Sequence, residues 1–172
     1  MLATQTKGSL VTRTGFTFYI RPARPYDEAA LGSFFNQVTP DDKRFRFLTA
    51  VKEVAHDRLV ALTDIDHDQT ENFLAFDPDT DDIVATGMLA CDPQITRGEV
   101  AISVRSDYKG RGISWVLLAH IAAYAETRGL KTIESVESKE NHAAISLARE
   151  MGFIAQNFPG DASLTLVKKN LT

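Results

Sequence analysis

The stretch "DYKGRGIS", Asp107 to Ser114, sets two glycines and two cations between an apolar run, "VAISV", and a longer one, "WVLLAHIAAYA". Gly110 and Gly112 let a backbone approach an anion closely. The unpaired N–H groups of a first helical turn would point at that anion, with the helix dipole adding to the attraction. Lys109 and Arg111 supply countercharge, and the backbone N–H groups of Ile113 and Ser114 complete the cradle. The chemistry is phosphate binding. A glycine pair alone also fits a plain tight turn. No Gly-Lys-Ser/Thr ends the stretch and no Gly-x-Gly-x-x-Gly order is present, so neither nucleotide hydrolysis nor dinucleotide redox chemistry is indicated.

Two further residues have chemical types worth weighing. In the strand-like "EVAISV", alternation puts Glu99, Ala101 and Ser103 on one face and Val100, Ile102 and Val104 on the other. Glu99 is a base if that end faces a cleft, and a solvated strand start if it does not. Asn141 opens the helical run "NHAAISLAREM", where it serves as a helix cap, a ligand contact, or both.

These residues need a scaffold. "FTFYIRP", Phe16 to Pro22, is aromatic and β-branched, hence a strand. Pro25, Asp27 and Glu28 suit a helix start, and "AALGSFFNQV" continues it. Thr39 before Pro40, Asp41 and Asp42 starts a short helix through Phe47, and another is expected from about Lys52 to Leu62. "FLAF", "IVATGMLAC" and "EVAISVR" then read as strands of a meander joined by "DPDTDD" and "DPQITRG". A long helix from Gly110 to Arg128 follows; Ile113, Leu117 and Ile121 form one stripe and Leu118, Ala122 and Ala125 its neighbour, with Trp115 and Val116 extending apolar surface almost all round. The strand "KTIESVE", a helix from about Asn141 to Met151, and the strands "GFIAQNF" and "SLTLVKK" close the chain. The pattern is α+β, with a sheet of mixed direction.

The 172 residues, 44% hydrophobic, suit one domain, residues 16–172, after a frayed N-terminus at 1–15. A net charge of −4 argues against nucleic acid as a partner. No apolar run reaches membrane-spanning length, and the first residues lack a secretory signal pattern, so a cytoplasmic protein is expected. Cys91, alone of its kind and in an apolar run, reads as a small buried hydrophobe. "DIDHD" and "DPDTDD" do not make calcium loops: counted from Asp64, Gln69 and Ala75 stand where Gly and Glu belong, and counted from Asp77, Asp82 and Met88 do. His56, His67, His120 and His142 are scattered without metal-ligand spacing, and no metal is expected. His120 reads as a hydrogen-bonded structural residue inside the long helix.

The glycine stretch resembles the coenzyme A pyrophosphate loop of the GNAT superfamily of N-acetyltransferases. That motif is Gln/Arg-x-x-Gly-x-Gly/Ala; here Lys109 stands for the Gln/Arg, Gly112 matches, and Ser114 stands for the Gly/Ala. "IRPARPYDEAAL" resembles the family's first strand and helix, and "ENHAAISLAREMGF" its late Asn-x-x-Ala…Gly-Phe signature. Within the superfamily, "RFRFLTAV", "LTDIDHD", "GEVAISVRSDYKGRGIS" and "LAREMGF" look most like the acetyltransferase domain of bacterial protein lysine acetyltransferases.

The resemblance implies a mostly antiparallel central sheet flanked by helices, with the coenzyme loop between the fourth strand and the following helix. It implies acetyl-CoA as co-substrate, held at Lys109 to Ser114, by the backbone of Ile102, Ser103 and Val104, and by Asn141. Glu99 becomes the general base: Glu99 to Val104 spans roughly 16 Å at about 3.3 Å per residue, comparable with an extended pantetheine arm. Many members protonate the leaving thiolate with a Tyr at the position that Ala148 holds here. A thiol with a pKa of about 8.5 leaves tolerably as its anion, so that acid is dispensable in principle. The acceptor implied is a protein lysine, on an acyl-CoA synthetase for example, with "RFRFLTAV" and "LTDIDHD" flanking its entry and Asp64, Asp66 and Asp68 attracting its charge. A polyamine or aminoglycoside acetyltransferase and an inactive acyl-CoA-binding module also fit these residues.

Overall fold

The computed structural model describes residues 8–171. One eight-stranded sheet runs in the order β1-β2-β3-β4-β5-β6-β8-β7. Its strands are β1 (Gly8–Val11), β2 (Thr17–Pro22), β3 (Thr70–Phe76), β4 (Ile83–Cys91), β5 (Arg97–Val104), β6 (Thr132–Ser138), β7 (Ile154–Asn157) and β8 (Leu164–Asn170). Every neighbouring pair is antiparallel except β5 and β6. The helices are α1 (Glu28–Asn36), α2 (Pro40–Phe47), α3 (His56–Thr63), α4 (Ile113–Thr127) and α5 (His142–Glu150). The mixed, mostly antiparallel sheet flanked by helices is the fold expected, and the described helices include none long and apolar enough to cross a membrane.

Four local expectations change. Residues 1–15 read as frayed, yet Gly8–Val11 pairs with Thr17–Ile20 as an edge strand, which makes the strand before the glycine loop the fifth. Residues 1–7 lie outside the described residues. The helix expected from Lys52 begins only at His56, because the Lys52 carbonyl accepts a hydrogen bond from the buried Lys43 ammonium (2.9 Å). β3 reaches back from "FLAF" to Thr70: buried Asn72 donates to the Leu62 carbonyl (2.8 Å), and buried Glu71 meets His67 (2.9 Å). Finally, α4 is not covered all round. Ile113, Leu117, Leu118, Ile121 and Ala125 are buried, but Ala119 and Ala123 are exposed.

Two apolar layers sandwich the sheet. On one face α4 packs through Leu117 and Ile121 against Val84, Leu89 and Val100, with Phe153 and Val167 nearby in the same core. The approach to β4 is close: a Cβ on Gly87 would lie 2.7 Å from the Ile121 side chain. On the other face α1 and α3 bury Leu31, Phe34, Phe35 and Leu59 against Leu74, Phe76 and Ile83. Apolar burial reaches both faces of β4, through Val84 and Leu89 on one side and Ile83 on the other, and β5, on which the site depends, is paired along it.

Candidate active site

β5 and β6 are paired only from Arg97 to Glu99, against Thr132 to Glu134. Beyond Glu99 the two strands part, while β5 stays paired to β4 as far as Val104. The parting opens a cleft of about 400 Å³ between β5, β6, the start of α4, α5 and α2. One edge of β5 therefore faces the cleft instead of a neighbouring strand. It is free to hydrogen-bond an extended amide-bearing chain laid along it. Ile102, Ser103 and Val104 line this edge, and the buried Ser103 hydroxyl has no partner among the described residues.

At one end the cleft meets the N-terminus of α4. Gly110 and Gly112 both have left-handed φ angles, +80° and +85°, the conformation that favours glycine. Gly112 immediately precedes α4, and among the described residues no side chain caps its first turn. The first N–H groups of a helix have no intrahelical acceptor, and these are the donors an anion would need. The loop itself is fixed from behind. Tyr108, buried, donates to Asp77 across 2.6 Å, and the Thr14 hydroxyl donates to the Arg111 carbonyl (2.8 Å). Hydrogen bonding to Asp77, together with burial, pushes the Tyr108 phenol above its ordinary pKa. The two expected countercharges are already engaged: Lys109 pairs with Asp42 of α2, and Arg111 lies 4.3 Å over the Tyr108 ring. Lys109, Gly110, Gly112, Ile113 and Ser114 line the cleft.

At the other end Glu99 stands, exposed, where the strands separate. Asn141 also lines the cleft and does the work of a cap, its Oδ1 accepting from the Ala144 N–H (3.3 Å). Its amide nitrogen donates to Glu137 (3.3 Å). Ala148 lies buried in the same wall, so no phenol is available there.

Sequence reasoning missed two charged side chains. Glu137 on β6 faces the cleft, and burial pushes its carboxyl above the usual range against the hydrogen bonds from Ser135 and Asn141. Arg46 on α2 lies against Met88, its Nε buried without a partner among the described residues, and burial lowers its pKa to about 10. Neither carries a motif; the one available signal for Glu137 was a carboxylate four residues before Asn141 on an otherwise alternating strand.

The acidic run is a correction. Phe45, Arg46 and Leu48 of "RFRFLTAV" do line the cleft, but Asp64, Asp66 and Asp68 do not. Asp66 accepts from the N–H groups of Asp68, Gln69 and Thr70, and Asp68 pairs with Arg128 beyond the far end of α4. Their charge is spent on a turn. His120 is likewise held by ring contact with Phe73 (4.9 Å), edge to face, rather than by a hydrogen bond. Cys91 is half-buried and free, its thiol pushed up by burial.

An uncapped helix start, a glycine backbone and an open strand edge suit a substrate with a pyrophosphate and a long amide-bearing arm. The comparisons agree. The acetyltransferase (GNAT) family matches residues 35–153. The chain is 32% identical over 146 residues to "Acetyltransferase PA5475" of Pseudomonas aeruginosa, covering 84% of this chain and 78% of the relative. Its fold matches the GNAT domain of S. lividans PAT with a TM-score of 0.88 at 23% identity, over 96% of this chain and 97% of the other. The spermidine/spermine N-acetyltransferase of Vibrio cholerae matches at 0.66 and 17%, over 89% and 94%. With the family model matched over residues 35–153 and a relative 32% identical over 84% of its length, this chain belongs to the GNAT acetyltransferases, acyltransferases that use acetyl-CoA.

Proposed function

We propose that the chain acetylates the side-chain amine of lysine on a folded protein, with Glu99 as general base. The observation that carries this is the position of Glu99: an exposed carboxylate at the point where β5 and β6 part, in a cleft that stays open to solvent. Acetyl-CoA lies with its pyrophosphate on the N–H groups of α4 and its arm along Ile102 to Val104, which brings the thioester towards Glu99. A lysine amine has a reference pKa of about 10.4 and must lose a proton before it attacks. An exposed carboxylate at the mouth both attracts the ammonium and accepts that proton. The strong fold likeness to the S. lividans protein acetyltransferase domain supports a protein acceptor.

A polyamine acceptor is the second reading, favoured by the likeness to the spermidine/spermine enzyme. Incubation with labelled acetyl-CoA, an acyl-CoA synthetase and a panel of polyamines and aminoglycosides separates the two. Label is expected on protein lysine. Label found only in the small amines overturns the protein reading.

A further inference from the structure

The cleft holds two carboxyl groups in contrasting surroundings, and the reaction described so far uses only one. Glu99, on β5, is exposed. Glu137, on β6, lines the cleft across the gap and is half-buried, and burial raises its carboxyl above the usual range. The Ser135 hydroxyl lies 2.6 Å from one of its oxygens and the Asn141 amide 3.3 Å from the other. Two charged groups act on it from neighbouring elements, Arg46 of α2 and Glu99 of β5. Arg46 favours its anion and Glu99 opposes it, yet among the described residues no cation pairs directly with Glu137. Desolvation therefore decides, and the protonated form prevails over a wider pH range than for a solvated carboxyl. A carboxyl kept from water across a cleft from a solvated one is a usual arrangement of an acid and a base.

We propose that Glu137 is the general acid of this site, supplying to the departing coenzyme the proton that no side chain at position 148 can give. The proposal rests on the acetyl-transfer reading with Glu99 as base. Its geometry is that of the cleft: Glu137 and Asn141 stand in the wall of β6 and α5 that faces β5, and Ala148 lies in that same wall. The step balances. The acceptor ammonium first releases one proton to solvent through Glu99. As the amine nitrogen bonds to the thioester carbon, its second proton passes to Glu99. The carbon–sulfur bond breaks, its electron pair stays on sulfur, and the Glu137 proton moves to that sulfur. Glu99 ends protonated and Glu137 ionised, and both reset by exchange with solvent. Arg46 then has its own place: its cation limits the cost of the transient Glu137 anion.

The test uses the full chain with Glu137→Gln, Glu137→Asp and Glu99→Gln, each checked for folding by circular dichroism. In infrared difference spectra without acceptor, wild type should show a protonated carboxyl at neutral pH. That signal should vanish in Glu137→Gln and persist in Glu99→Gln. With labelled acetyl-CoA and poly-L-lysine as the acceptor probe, Glu137→Gln should lower kcat by about 10²-fold, the low end for such steps because a thiol is already a fair leaving group. Coenzyme affinity should hold. The fall of kcat at alkaline pH should disappear in Glu137→Gln and return in part in Glu137→Asp. A Glu137 already ionised at neutral pH, or a Glu137→Gln enzyme with both limbs of the wild-type pH profile, overturns the proposal. Full activity of Glu99→Gln alongside a slow Glu137→Gln would instead overturn the base assignment. Should poly-L-lysine not react at all, that counts against the lysine acceptor, and the infrared signal decides for Glu137.

Discussion

At the α4 end the cleft is lined by main chain, with left-handed Gly110 and Gly112 and an uncapped helical turn, whereas at the β5–β6 end it is lined by the side chains of Arg46, Glu99 and Glu137 from three distant segments. The two ends suit two different substrates. A pyrophosphate is the same in every turnover, and backbone N–H groups at a helix start bind it through geometry alone. Proton transfer needs groups whose ionisation can be tuned, and tuning requires side chains with their own burial and neighbours.

The largest expected effect lies at the side-chain end. Glu99→Gln should reduce turnover by about 10²- to 10⁴-fold while acetyl-CoA binding, followed by calorimetry, stays as it was. Equal turnover across pH would remove the functional distinction between the two ends.

Next comes the main-chain end. Gly112→Asp places a side chain on a left-handed backbone, with its Cβ 3.4 Å from that of Thr12, and adds a negative charge where the pyrophosphate should lie. Acetyl-CoA affinity should fall by about 10²-fold, or about 2.7 kcal/mol, with the circular dichroism of the fold retained. Unchanged affinity would show that this backbone does not hold the coenzyme.

The smallest effect tests what holds the loop. Tyr108→Phe removes the 2.6 Å hydrogen bond to Asp77, whose other oxygen keeps the Asp79 N–H. Chemical denaturation should show a loss of about 1 kcal/mol. Acetyl-CoA affinity should drop modestly while the Glu99-dependent pH profile keeps its shape. A shifted profile would mean that the ends are not separable.

The same contrast explains what the sequence revealed. The glycines stood between a strand and a helix, so the local pattern placed the turn, although the helix expected from Gly110 begins only at Ile113, after the left-handed Gly112. Asn141 was legible as a cap and is one. Glu137 was not legible. In "TIESVES" the glutamates at 134 and 137 are an odd number apart and fall on opposite faces of β6. Which of them meets the cleft depends on pairing with β8, a partner strand almost thirty residues downstream. Arg46 sits in "RFRF", a segment read as flanking the acceptor's entry, but its contact with Met88 of β4, forty-two residues downstream, follows from the packing of α2 on the sheet. The acidic run misled for a related reason: composition shows the charge of Asp66 but not that its Oδ1 accepts from three backbone N–H groups. The edge strand Gly8–Val11 is short, with Val11 exposed, and it acquires its conformation from β2.

The parting of β5 and β6 has a mechanical side. Between them, backbone pairing is confined to the residues from Arg97 to Glu99 and their partners, so the sheet is two panels joined by a short seam: β1 to β5 with α4 on one side, and β6, β8, β7 and α5 on the other. An acyl-CoA arm laid along β5 and touching the wall of α5 would act as a stitch across the open part of that seam. Occupancy would then be felt as stiffness, with slower amide exchange in β6 and α5, far from the phosphates that bind the ligand. The enzyme would be most rigid with its donor loaded and loosest after the coenzyme departs.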